Sequence, residues 1–188
     1  MVFKKTLSLA LIFFSLTFIP SKANAFSIYA GPSYSFGGVI AESDFYNGAT
    51  DWAPGFMTGM KYGRLSMELF LRKFALKRDT EKGGVSYEME IDNVVTGMSF
   101  RIEVHPILDL IMGVNGQNVL VRANSKNSSN QLSGLLDKSY VNWHVGGGLK
   151  GEIYPNVISR VDLVYYKGDI DFGLFGIDFS LMYNFVTF

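Results

Sequence analysis

Period-two alternation of large apolar residues constrains this chain more than any other feature. In residues 176–185, Ile177, Phe179, Leu181, Tyr183 and Phe185 take the odd positions, and their even neighbours include Asp178, Ser180 and Asn184, with Met182 the exception. In residues 141–153, Val141, Trp143, Val145, Leu149 and Ile153 share one face, opposite Asn142, His144, Gly146, Gly148, Lys150 and Glu152. Phe26, Ile28, Ala30, Tyr34 and Phe36 alternate in the same way with Ser27, Tyr29, Gly31, Ser33 and Ser35. A strand sends successive side chains to opposite faces, whereas a helix gathers positions i, i+3, i+4 and i+7. Helical spacing fits none of these segments, so the chain reads as all-β.

Turn residues divide the remainder into eight predicted strands, at about 26–37, 52–62, 65–76, 87–102, 107–121, 140–154, 157–167 and 174–187. Tyr62-Gly63-Arg64, Val104-His105-Pro106 and Pro155-Asn156 mark tight turns. Longer polar stretches fall at 38–51, 77–86 and 122–139, and a shorter one at 167–171. Long and short connections therefore alternate, as in an antiparallel up-and-down array that closes most economically into a barrel. Register is open in two places. The strand from Leu65 sets Met67, Leu69 and Leu71 against Glu68, Phe70 and Arg72. In the next, Glu88, Glu90 and Asp92 share parity with Val94, Met98 and Phe100. Either a bulge near Asn93 shifts the facing, or the acidic half projects beyond the apolar zone.

Residues 1–25 read as a secretory signal peptide outside this fold. Lys4 and Lys5 precede a 13-residue apolar run at 7–19, Pro20 and Ser21 break it, and Ala23-Asn24-Ala25 offers a small-x-small cleavage site. A spanning helix needs about 20 apolar residues. The expected mature domain is 26–188, which sheds three lysines and keeps 14 basic against 17 acidic residues. Such a chain lacks the basic footprint of a nucleic-acid binder. With no cysteine it has neither disulfides nor thiolate chemistry.

Alternation alone leaves open which face is wet. Glycines interleave with charges on the polar face, as at Gly146, Gly148, Lys150 and Glu152, which suits a crowded lumen better than a solvated exterior. Phe26, Tyr34, Phe36, Trp143, Tyr183 and Phe185 lie near strand ends on the apolar face, where aromatic rings suit a membrane–water boundary. Long connections at one end and tight turns at the other complete the pattern of an outer-membrane barrel. The expected fold is a single eight-stranded antiparallel up-and-down transmembrane β-barrel.

The chain over 26–188 resembles the small eight-stranded outer-membrane β-barrels of Gram-negative bacteria, the OmpA-transmembrane-domain and OmpX-like group. The most specific match is the last strand, in which Gly176, Phe179, Leu181, Tyr183, Phe185 and the terminal Phe188 resemble the family's C-terminal assembly signal. Phe188 has the opposite parity to Phe185, so either a bulge sits near Val186 or the signal ends at Phe185. The opening segment FSIYAGPSYSFG is also similar to the family's first strand. The resemblance implies outer-membrane localisation after Sec-type export, periplasmic termini, outward long loops and insertion by the barrel-assembly machinery. The partners it implies are outer-membrane lipid and lipopolysaccharide, and it names no extracellular partner.

The predicted lumen polar network is Glu68, Arg72, His144, Lys150, Glu152, Arg160 and Asp162. Buried ions must be paired or hydrated, so both signs on neighbouring strands point to a polar plug, with a narrow charge-selective pore as the alternative. A lipid A-modifying enzyme is a further alternative on His144, but Gly146 stands where a serine two residues on would have supplied a nucleophile. A soluble lipocalin-like carrier is the alternative if the apolar face points inward. His105 reads as a turn residue, Gly37-Gly38 and Gly83-Gly84 as loop entrances, and 122–139 as the segment best placed for external contact. No cofactor, metal or catalytic set is expected, and the role is structural or surface-interacting.

Overall fold

The computed structural model describes residues 26–41, 47–82, 84–126, 131–168 and 172–187, with the side chains of 82, 131–136, 172 and 187 excepted. The expected signal peptide and Phe188 lie outside the described residues. Eight strands follow in order: β1 (Phe26–Ala41), β2 (Thr50–Tyr62), β3 (Leu65–Lys82), β4 (Val85–His105), β5 (Leu108–Ser125), β6 (Gln131–Tyr154), β7 (Val157–Lys167) and β8 (Phe172–Thr187). Each pairs antiparallel with its sequence neighbour, and β8 pairs with β1 to close the barrel. The tight ends at Gly63 and Asn156 both carry positive φ, 58° and 66°, a conformation Gly adopts freely and Asn tolerates.

Several strands run longer than the alternation suggested. β3 continues to Lys82, β4 starts at Val85, β5 runs to Ser125 and β6 starts at Gln131. Most of the expected loops at 77–86 and 122–139 is therefore sheet. Lys77, Asp79 and Arg122 misled because they lie exposed on the outward face of strands already clear of the apolar zone. The β3–β4 ladder is continuous from Leu65↔Ile102 to Lys82↔Val85, which excludes a bulge at Asn93. Glu88, Glu90 and Asp92 keep the outward parity of Met98 and Phe100 and sit on the projecting part.

At the closure, Ile28↔Val186 is followed by Tyr29↔Asn184, so β8 carries one extra residue at Phe185. Val186 thereby moves opposite Ile28, an outward residue. The change of parity before the C-terminus is a bulge.

The outward face between the two ends is a belt of exposed Ile28, Phe56, Leu69, Met112, Val145, Leu163, Phe179 and others like them. Aromatic rings border it. Phe36, Trp52, Trp143 and Tyr165 lie toward the end of the long connections, and Tyr62, Tyr154 and Phe185 toward the tight turns. Trp52 and Tyr62 are ten positions apart on β2. At about 3.3 Å per residue and a tilt near 40°, that is about 25 Å along the barrel axis, the height of an outer-membrane apolar band.

Candidate functional site

Inward positions on every strand converge on a lumen packed with side chains. Its lower part is ionic, and the layout follows from register. Glu68 on β3 and Arg101 on β4 are two positions out of direct opposition, so they meet diagonally across the wall. Arg101 Nε donates to Glu68 Oε2 at 2.5 Å, and its two Nη groups grip both oxygens of Asp162 from β7. Glu68 Oε1 also accepts from Tyr29 Oη at 2.7 Å and from Arg160 Nη1, whose guanidinium lies 4.7 Å over the Tyr29 ring. Nearer the tight turns, Lys150 Nζ donates at 2.7 Å to both Glu103 and Asp109, and Lys61 reaches the same Glu103 oxygen at 2.7 Å. Toward the other end, Arg72 pairs with Asp178 at 2.8 Å and contacts the Tyr166 hydroxyl.

Five carboxylates (Glu68, Glu103, Asp109, Asp162, Asp178) thus meet five cations (Lys61, Arg72, Arg101, Lys150, Arg160), each in at least one ion pair. This balance matters physically, because a surplus charge in a low-dielectric interior costs several kcal/mol. Glycines make the room. A Cβ on Gly148 would collide with the Asp162 carboxylate, and one on Gly113 would lie 2.6 Å from His144 Cε1.

Of the seven residues expected in the network, Glu68, Arg72, Arg160 and Asp162 lie in these ion pairs, and Lys150 joins at the lower end. His144 is buried among aromatic rings, 5.3 Å from Phe70 and 5.5 Å from Tyr166. Glu152 is a correction. It is exposed near the β6–β7 turn, where its Oε1 accepts from the Asn156 backbone N at 3.2 Å. The register shift between Glu152 and Tyr154 ends the inward run there. Sequence reasoning missed Arg101, Asp109, Asp178, Tyr29 and Tyr166. Arg101 alternates with Phe100, and Asp178 stands between Ile177 and Phe179, so parity did carry a signal for both.

Ser99 Oγ lies 2.8 Å from His144 Nε2, a serine supplied from β4 rather than from the same strand. His144 Nδ1 has no hydrogen-bond partner among the described residues, and both residues are buried. A hydrolytic pair needs an oriented base and room for a substrate. This one has neither an orienting group on Nδ1 nor an exposed hydroxyl.

Above the ions sits an amide layer. Gln117 Nε2 donates to Asn115 Oδ1 at 2.8 Å, and Gln117 Oε1 accepts from Asn93 at 3.0 Å and from Tyr140 Oη at 3.1 Å. Beyond it the interior becomes apolar, with Val39, Ala49, Phe74, Leu76, Met89, Ile91, Val119, Val121 and Leu174 at 2% exposure or less. The outward face changes at the same level. On β3 it passes from Leu69 and Leu71 to exposed Lys73 and Lys77, on β4 from Phe100 to Asp92 and Glu90, and on β5 from Met112 and Val114 to Asn118 and Arg122. Cross-strand pairs Lys77–Glu90 at 3.2 Å, Arg122–Asp92 at 3.3 Å and Lys126–Asp79 at 2.6 Å cover this outer region. Glu90 raises the Lys77 pKa by hydrogen bonding and by its charge.

On β3, β4 and β5 each strand therefore keeps its parity while the polarity of its two faces exchanges. In the belt, apolar residues point out and ions point in. Beyond it, apolar residues point in and ions point out.

The C-terminal residues divide as alternation requires. Phe179, Leu181, Tyr183 and Phe185 are exposed on the belt, and Gly176 is buried on the inward face.

No protein-family model matches the chain, and no curated protein matches it. Solved structures do. Ail, the attachment invasion locus protein of Yersinia pestis, is 15% identical with a TM-score of 0.52, over 87% of this chain and 100% of that one. Ail in complex with the heparin analogue sucrose octasulfate has the same identity and coverage, with a TM-score of 0.50. Neisserial surface protein A is 11% identical with a TM-score of 0.48, again over 87% and 100%. The chain thus has the fold of the small eight-stranded outer-membrane β-barrels.

Proposed function

We propose that this chain is an integral outer-membrane β-barrel with a filled lumen, holding a sheet above the membrane in a structural or surface-interaction role. The observation that carries this reading is the exchange of facing described above. Lipid surrounding the belt and water surrounding the β3–β6 extension account for both halves by one rule, that each surface matches its solvent. A soluble barrel would have no reason to expose Phe56, Leu69, Met112 and Phe179 over a band about 25 Å high. β4 and β6, with 21 and 24 residues, are about twice the 9–11 needed to cross a bilayer.

The surface role rests on the extension. The β6–β7 ladder begins at His144↔Tyr166, so the part of β6 before His144 has no β7 pairing among the described residues. Among the described residues the sheet there is open rather than closed into a ring. We read the barrel as non-enzymatic, localised to the outer membrane after export, with outer-membrane lipid and lipopolysaccharide around the belt. The alternation ending at Phe185 and the bulge there support reading residues 176–188 as the segment engaged by the assembly machinery.

Cell fractionation tests the membrane assignment. The protein is expected in the outer-membrane fraction, extractable only with detergent. Recovery as a soluble periplasmic protein would favour the lipocalin-like carrier instead. Planar-bilayer recording tests the filled lumen. Stable single-channel conductance would overturn it in favour of a pore.

A further inference from the structure

The belt is not smooth. A groove of about 530 Å³ crosses the closing seam on its outward side, walled by Tyr34, Phe179 and Leu181 and floored by Pro32, Pro54 and Ser159. The three wall residues are each roughly half exposed. Local sequence makes the groove. The register sets Phe56 opposite Pro32 and Pro54 opposite Tyr34, so each proline leaves a low point beside a tall ring. Proline has no N–H, and the β1–β8 ladder skips Gly31 and Pro32 while the β2–β3 ladder skips 51–54. Trp52 stacks on Tyr34 at 5.3 Å and stands 6.2 Å from Phe179, fixing the upper wall.

Depth decides what can fill it. Pro32 lies six positions from Phe26 and four from Phe36, and Leu181 four from Phe185 and six from Phe175. At about 2.5 Å of axial rise per residue, the floor at Pro32 is roughly 10–15 Å from either border of the belt, and the groove rises from there to the border ring of Trp52. Lipid headgroups and water do not reach the floor at Pro32, and a hollow of this size left empty would forfeit packing along its lining.

Resting on the outer-membrane reading, we infer that this groove is a seat for one hydrocarbon chain of a membrane lipid. The chain lies against the Tyr34 and Phe179 rings, over the two prolines and Ser159. The seat is specific to the seam, because Pro32 and Pro54 occur on neighbouring strands there.

Native mass spectrometry of the refolded protein, released from phosphatidylethanolamine nanodiscs by graded collisional activation, tests this. Wild-type protein should retain one phosphatidylethanolamine after bulk lipid is stripped. Ser159→Phe, which fills the floor, should lose that adduct, and Leu110→Phe, elsewhere on the belt, should keep it. Absence of the adduct from wild type, or equal retention by Ser159→Phe, would overturn the proposal. So would a dimer in place of the lipid adduct, since a second copy would then cover the seam. A Ser159→Phe variant that fails to refold is replaced by Pro54→Phe, judged by the same criterion. Failure here with the protein still in the outer-membrane fraction removes the lipid seat alone. A soluble protein removes the membrane reading itself.

Discussion

Replacing Arg101 with methionine should destabilise the barrel more than any other single change in the lumen. Its guanidinium bonds Glu68 on one side and both oxygens of Asp162 on the other, and approaches Asp109 at 3.8 Å, all at 4% side-chain exposure or less. After Arg101→Met, Glu68 keeps Arg160 and Tyr29. Asp162 keeps no cation, and it stands directly opposite Asp178 on β8. Removing one partner of a buried pair costs about 3–5 kcal/mol, chiefly by leaving the other charge uncompensated. With a denaturant slope near 2 kcal/mol/M, the urea midpoint should fall by about 1.5–2.5 M. The assay is reversible folding into lipid vesicles, followed by the fluorescence of Trp52 and Trp143 at the aromatic border. Asp162→Leu alone should cost less, because Arg101 retains Glu68 and Asp109. Combining Arg101→Met with Asp162→Leu should recover much of the loss, since apolar replacement of a whole pair is often neutral. A single Arg101→Met variant within about 0.5 kcal/mol of wild type would refute the reasoning, as would strict additivity of the double variant.

Three further outcomes follow from the geometry, each measured by the same folding equilibrium. Gly148→Ala drives a methyl into the Asp162 carboxylate and should cost about 1–3 kcal/mol, whereas Gly151→Ala meets no atom within 4 Å and should be close to neutral. Leu69→Lys, at mid-belt on β3, should cost about 2–4 kcal/mol, but Ala75→Lys, on the same face above Lys73, about 0–1 kcal/mol. Phe74→Ala should cost about 3–5 kcal/mol by opening a cavity in the outer apolar core. Comparable penalties for Leu69→Lys and Ala75→Lys would place both positions in one solvent and remove the border between them.

How far the sequence carried these conclusions depended on where one rule held. Between the aromatic borders, parity with a neighbouring apolar residue assigns Glu68, Arg72, Arg160 and Asp162 to the lumen, because lipid on one side forces a polar interior on the other. The same rule applied to Arg101 and Asp178. On β4, however, Glu88, Glu90 and Asp92 on the outward parity obscured which face was inward. Beyond the border the rule inverts. Phe74, Leu76, Ile91, Val119 and Val121 lie on inward parity and form a core of the soluble kind, while Lys77 and Arg122 on outward parity read as loop. Alternation specifies facing, but not the solvent on each side. That information came only from which residues the closed register places at one level. Pairings such as Ser99 with His144 depend on contacts across an intervening strand and left no trace in local sequence.

Because the chain contains no cysteine, single thiols can report the solvent at chosen positions on β3. Intact cells carrying Leu69→Cys, Ala75→Cys, Leu76→Cys or Asp79→Cys would be treated with a membrane-impermeant maleimide. Labelling is expected at Ala75→Cys and Asp79→Cys, which face water above the border. None is expected at Leu69→Cys, which faces lipid, or at Leu76→Cys, which is sealed in the outer core. Labelling of Leu69→Cys at the rate of Asp79→Cys would contradict the account, for it would mean that one solvent bathes the whole outward face of β3.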